Sequence, residues 1–237
     1  MLQRIPLPSL AFPVTLCGDP LARDVIIRPV GGHDAALLDS EVRETARLCG
    51  HERFCLAFLT VSDWDNDLAP WSAPAVFGGR SFGDGAADTL GFITDGLIPQ
   101  LEADFPAPVP RRVLIAGYSL AGLFALWAAA VSDCFAGAAG VSPSLWYPGW
   151  AEFSSAHPMR TKAVYLSLGD REEHTRNAVM ARVGDAVRAQ YAALEASGTD
   201  CILEWNSGGH FRDSDLRTAR GSAWMLNRLS KKGDNMI

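Results

Sequence analysis

The sequence predicts an α/β fold, a mainly parallel central sheet with helices on both faces, and three observations predict it. From about residue 113 onward, apolar strand-like runs alternate with helix-like runs, the order that builds parallel sheets. The run over 54–61 is nearly all apolar and is bounded by polar residues, the pattern of a strand buried on both faces. Finally, Arg112-Val113-Leu114-Ile115-Ala116-Gly117-Tyr118-Ser119-Leu120-Ala121-Gly122-Leu123-Phe124-Ala125-Leu126-Trp127 passes from strand to helix through a tight turn at Ser119.

The elements follow in order. Short extended runs occupy 14–16 and 24–30. Helical spacing through Leu37, Leu38, Val42 and Ala46 predicts a helix over 35–48, and 54–61 is the buried strand. Residues 62–85 are Gly/Pro/Trp-rich and irregular, longer than ordinary connections, so they are functional or hide a short element. Leu90, Ile93, Leu97 and Leu101 carry helical spacing through 86–105, with Pro99 expected to bend it. Strands are then predicted over 113–116, 136–141, 163–168 and 201–205, and helices over 120–131, 177–197 and 214–229. About twenty residues separate the strands ending at Val141 and beginning at Ala163, too few for a large cap domain.

The 237 residues are read as one domain, 1–237. A net charge of −6 without a dense Lys/Arg run excludes nucleic acid and anionic membranes as expected partners, and the Lys231-Lys232 pair is too short to change this. Residues 1–8 lack the charged-then-apolar order of a secretory leader, and the longest apolar stretch, 123–131, is far below the roughly 20 residues of a membrane span. Five cysteines, odd in number and without a Cys-x-x-Cys, suit reduced thiols, so a cytoplasmic setting is expected. No His/Cys/Asp/Glu cluster has metal-ligand spacing.

Small residues two before and two after Ser119, here Gly117 and Ala121, let strand and helix backbones approach at a turn that pushes a hydroxyl clear of the sheet. Such a hydroxyl needs a base oriented by a third group. Of five histidines, His33, His51, His157 and His174 read as solvated loop or turn residues. His210, in Ser207-Gly208-Gly209-His210-Phe211, follows the last strand, and loops leaving the carboxyl ends of parallel strands share one edge. The acid is expected one strand earlier, in Gly169-Asp170-Arg171-Glu172-Glu173-His174. Spacing favours Glu172, because a Gly-x-x-acid turn carries the carboxylate back over the edge; Asp170 and Glu173 remain alternatives.

Together, Gly117-Tyr118-Ser119-Leu120-Ala121-Gly122, Gly169-Asp170-Arg171-Glu172 and Gly208-Gly209-His210 resemble the esterase D/enterochelin esterase-like branch of the α/β-hydrolases. Asp63-Trp64-Asp65-Asn66-Asp67-Leu68-Ala69-Pro70-Trp71 is similar to that family's loop after its third strand. Val141-Ser142-Pro143-Ser144-Leu145-Trp146 resembles its segment after the strand following the turn. The resemblance spans about residues 15–230, with Ala121 departing from the usual glycine. It implies a Ser-acid-His hydrolase with no metal or organic cofactor.

On this reading Ser119 attacks an ester or lactone carbonyl of a small molecule, His210 takes and returns the proton, and Glu172 holds the imidazole. The oxyanion donors are expected to be the N–H of Leu120 and that of Asp63 or Trp64. Trp71 and Trp146 are candidates for holding the acyl group, with Trp64 and Trp150 also in loops, and Arg80 is a candidate for an anionic substrate group. An acyltransferase or thioesterase would use the same three groups. A non-catalytic binding protein on the same fold is the other alternative, and a homo-oligomer is left open.

Overall fold

Continuous apolar runs form central strands because helices cover both of their faces. The computed structural model describes residues 4–7, 11–76 and 78–234, the last four by backbone alone. The leader reading at residues 1–3 and 8, and the Lys231-Lys232 side chains, lie outside the described residues.

Eight strands form one sheet: β1 (Arg4–Leu7), β2 (Val14–Gly18), β3 (Asp24–Val30), β4 (Cys55–Thr60), β5 (Arg112–Tyr118), β6 (Gly137–Val141), β7 (Ala163–Gly169) and β8 (Asp200–Asn206). Their order is β1-β2-β4-β3-β5-β6-β7-β8. All pairs from β4–β3 to β7–β8 are parallel, and β1–β2 and β2–β4 are antiparallel. The helices are α1 (Leu38–Cys49), α2 (Trp64–Asp67), α3 (Ala86–Gly91), α4 (Ile98–Asp104), α5 (Leu120–Val131), α6 (Trp150–Ala156), α7 (Val183–Ala196) and α8 (Ser214–Asp234).

Alternation along the strands sends side chains into two core layers. Val25, Ile27 and Ile115 pack with Leu123, Leu126, Val187 and Leu194, in the layer of α5 and α7. Ile26, Leu114 and Ala116 pack with Val42, Met225, Leu226 and Leu229, in the layer of α1 and α8. Each large apolar side chain so buried contributes about 1.5–3 kcal/mol. Helix α5 is buried at every position from Leu120 to Ala130, which explains why its sequence is apolar all round. A buried pair enters the second layer: Arg28 of β3, 2% exposed, meets Glu41 of α1 at 3.3 Å. Burial, only partly offset by Arg28, pushes the Glu41 carboxyl up to about 7.

The expected architecture is present, with local differences, among them the short helix α6 between β6 and β7. The amino-terminal segment adds β1, whose four residues were too few for a periodic signal. The helix read over 86–105 is interrupted by a π-turn, Phe92–Leu97, immediately before Pro99. Proline lacks the N–H that would bond to Asp95, and widening the turn before it accommodates that loss. The long 62–85 segment does hide structure, the single turn of α2 and an isolated bridge between Ala73 and Phe82. No helix among the described residues is long and apolar enough to cross a membrane.

Candidate active site

β5 delivers Ser119 into a strained backbone. Its φ of 59° and ψ of −122° lie where L-residues are rarely found, a conformation that costs about 1–3 kcal/mol. The surroundings hold it: Ser119 N–H donates to Val141 O at 3.0 Å, and Ser119 O accepts from the N–H groups of Gly122, Leu123 and Ser144. A Cβ at Gly117 would sit 1.9 Å from Ala121 O, and one at Gly122 would sit 2.9 Å from Gly117 O. The close contact across the turn is therefore between Gly117 and the backbone of Ala121 and Gly122, and the methyl of Ala121 is buried in the core. Gly117→Ala is expected to destabilise the fold by about 3 kcal/mol, because its clash is with backbone and no rotamer relieves it. A urea titration that finds an unchanged midpoint would refute this.

Ser119 Oγ lies 3.0 Å from His210 Nε2, and His210 Nδ1 lies 2.7 Å from Glu172 Oε2. The carboxylate is 3% exposed, the imidazole 25%. Glu172 Oε1 accepts from Ser142 Oγ and from Gly169 N–H, each at 2.7 Å, and from Arg217 Nη1 at 3.0 Å. Burial alone pushes the Glu172 carboxyl up. The hydrogen bond and charge of His210, with the Ser142 and Gly169 donors, outweigh it and hold the group below the usual carboxylate value. An ionised carboxylate only accepts, so in the neutral imidazole the proton sits on Nδ1 and the Nε2 lone pair faces Ser119.

The other acids of that loop have different partners. Asp170 Oδ1 accepts the Gly208 N–H at 2.7 Å, fixing the loop that carries His210. Glu173 pairs with Arg188 through two bonds of 2.9 and 3.0 Å. The His210 loop is tied further by the Tyr118 hydroxyl, which donates to His210 O.

The sheet order sets the two candidates for the second oxyanion donor, Asp63 and Trp64, one strand further from Ser119. Asp63 and Trp64 follow β4, not the third strand, and β3 lies between β4 and the strand of Ser119. The Asp63 N–H already donates to Asp67 Oδ2 at 2.9 Å. Trp64 meets the loop after β3 through its ring, edge-on to His33 with centroids 4.8 Å apart. The loop bordering the Ser119 turn is thus Gly31-Gly32-His33, in which Gly31 N–H donates to Asp34 Oδ2 and Gly32 is exposed. On the other side, Leu120 opens α5, and the first N–H groups of a helix have no acceptor within it.

The tryptophans divide. Trp150, expected in a loop, instead opens α6 as a core residue, 2% exposed, and donates to Gln190. Trp71 donates to Pro148 O at 2.8 Å and packs edge-on to Tyr147. Trp146 is half-buried against Phe82 and Tyr147. Trp71 and Trp146 thus share one aromatic cluster, and Trp146 follows Ser144, whose Oγ is 3.4 Å from Ser119 Oγ. Arg80 is held by Asp63. Ser142 and Arg217 escaped the sequence reading. A signal for Arg217 existed, since it occupies the same helical stripe as Gly221 and Met225, a buried face where a charge is out of place.

A mainly parallel sheet in this order, with a serine at the strand-to-helix turn after β5 and a histidine after β8, is the α/β-hydrolase fold. The chain belongs to the Esterase family, described as "Putative esterase", whose model matches residues 57–212. No curated protein matches it in sequence. Among solved structures it is similar to an IroE-like serine hydrolase from Shewanella oneidensis, at 15% identity and TM-score 0.77, covering 94% of this chain and 79% of that one. The siderophore hydrolase EstA from Aspergillus nidulans matches at 20% identity and TM-score 0.72, covering 97% and 95%. The enterobactin esterase FES from Shigella flexneri matches at 17% and TM-score 0.68; 97% of this chain spans 59% of that one.

Proposed function

We propose that the chain is a serine esterase that cleaves a small-molecule ester or lactone through an acyl-enzyme on Ser119. The observation that carries this reading is the unbroken chain of hydrogen bonds from Ser119 Oγ to His210 to Glu172, 3.0 and 2.7 Å long. His210 Nε2 removes the hydroxyl proton as Oγ attacks the carbonyl, and Glu172 stabilises the imidazolium that forms. The tetrahedral oxyanion accepts from Leu120 N–H and from Gly32 N–H in the loop after β3. Collapse expels the alcohol, protonated by His210. Water, deprotonated by the same nitrogen, then releases the acid and restores the serine.

The aromatic cluster of Trp71 and Trp146 supports an apolar or aromatic acyl group. Similarity to structures named as siderophore hydrolases and an enterobactin esterase makes lactones and aromatic esters the first substrates to assay. The test is a fluorophosphonate probe followed by peptide mass spectrometry. Stoichiometric labelling of Ser119 in the folded protein is expected, together with turnover of a p-nitrophenyl ester. A folded protein that refuses the probe and turns over no ester would overturn the reading.

A further inference from the structure

We infer that Arg217 is a positioning residue of this site, a fork that fixes the Glu172 carboxylate and the backbone carrying His210 relative to one another. The inference rests on the reading of Ser119, His210 and Glu172 given above. Arg217 lies in the first turn of α8 and is 2% exposed, a burial that arginine tolerates only when its donors are matched. Nη1 donates to Glu172 Oε1 at 3.0 Å, the oxygen turned away from the imidazole. It also lies 3.4 Å from both Ser142 Oγ and Tyr118 Oη. Nη2 donates to Ser207 O at 3.0 Å and Gly209 O at 3.2 Å, the carbonyls three residues and one residue before His210.

One rigid planar group therefore bonds the acid with one nitrogen and the histidine's loop with the other. That loop needs such a tie. Gly208, between the two carbonyls, has a φ of +102°, a conformation it shares with few residues, and a Cβ at Gly209 would meet nothing. Without the fork the loop keeps its ties to Asp170 and Tyr118, but neither of these also holds Glu172, and the distances to Ser119 and Glu172 are no longer set from one origin. A lysine ammonium is a single point charge and reaches only one of the two sides.

A cavity of about 100 Å³, lined by Asn206, Ser207, Arg212, Leu216, Arg217 and Arg220 among others, makes the test sharper. Arg212 and Arg220 on its lining are exposed, so a small cation reaches the guanidinium position from solvent once the side chain is shortened. Arg217→Lys is expected to fold and to lose about 10²-fold in kcat, with KM changed by less than about twofold, as misplacement of a reacting group does. The wild type is expected to show the downfield proton resonance of the His210–Glu172 hydrogen bond, and in Arg217→Lys that resonance is expected to weaken or vanish. Arg217→Ala is expected to lose at least as much, and millimolar guanidinium to restore about tenfold of kcat in that variant alone.

Wild-type kcat and an undisturbed resonance in Arg217→Lys would overturn the inference. So would losses in kcat that follow a fall in the unfolding midpoint and do not respond to guanidinium. If Arg217→Ala does not fold, Arg217→Lys and its resonance decide. If the wild type cleaves no ester, the proposed function fails, and the resonance comparison still decides the role of Arg217.

Discussion

Ser119→Ala is expected to lower kcat for ester cleavage by about 10⁶-fold, leaving only the residual acceleration that binding and oxyanion donors supply. The magnitude follows from what the oxygen does in the proposed mechanism: it is the atom that forms the new bond, and no other described side chain is bonded to His210 Nε2 to take its place. Ser144 Oγ is nearby, at 3.4 Å from Ser119 Oγ, but Ser144 is itself buried. The fold should be indifferent to the change. The backbone of residue 119 is held through its own N–H and carbonyl, to Val141, Gly122, Leu123 and Ser144, and all of these remain. Steady-state rates on a p-nitrophenyl ester, measured beside the urea midpoint, check both halves. Turnover near the wild-type rate in purified Ser119→Ala would remove the basis of the proposed mechanism.

Glu172→Gln is expected to be nearly as damaging, about 10⁴-fold in kcat, without losing the shape of the site. Gln keeps an oxygen for Ser142, Gly169 and Arg217, so its NH₂ faces His210. That amide donates to Nδ1, the imidazole proton moves to Nε2, and the nitrogen facing Ser119 can no longer accept. The same substitution at the two other acids separates their roles. Asp170→Asn retains an oxygen for Gly208 N–H, and Glu173→Gln disturbs a half-exposed pair with Arg188, so each should stay within about tenfold of wild type. If Asp170→Asn proves the inactive one, the acid has been misassigned. The lowered Glu172 value also gives a stability test. A carboxyl held below its unfolded value contributes stability above the unfolded value, and that contribution is lost as pH falls through the folded one. The urea-midpoint advantage of wild type over Glu172→Gln should therefore shrink as pH is lowered below about 4.3.

Much of this is legible in the sequence. The two helices flanking the site, 120–131 and 214–229, announce themselves by composition and spacing, and the strand before Ser119 by its apolar run. Glu172 was separable from Asp170 and Glu173 only by its spacing from Gly169; their partners, Gly208 and Arg188, lie 38 and 15 residues away along the chain and are invisible locally. β3 conceals Arg28 among the apolar residues of a buried strand, because Glu41, from a helix later in the chain, pairs with it.

What the sequence by itself determined is the local chemistry: a serine at a sharp strand-to-helix turn, an acid and a histidine in the loops after two later strands, and the periodicity that makes those strands and helices. Such features depend on neighbours a few residues away, and neighbours of that kind are written in order along the chain. What only the tertiary structure decided is which strands stand side by side. Inserting β3 between β4 and β5 sets the loop of Gly31 and Gly32, in place of Asp63 and Trp64, on the strand next to the Ser119 turn, and packing α8 on β5, β6 and β7 brings Arg217 to Glu172. Strand order and helix docking are settled by the burial of whole faces against one another, a free energy summed over the molecule that no short segment carries.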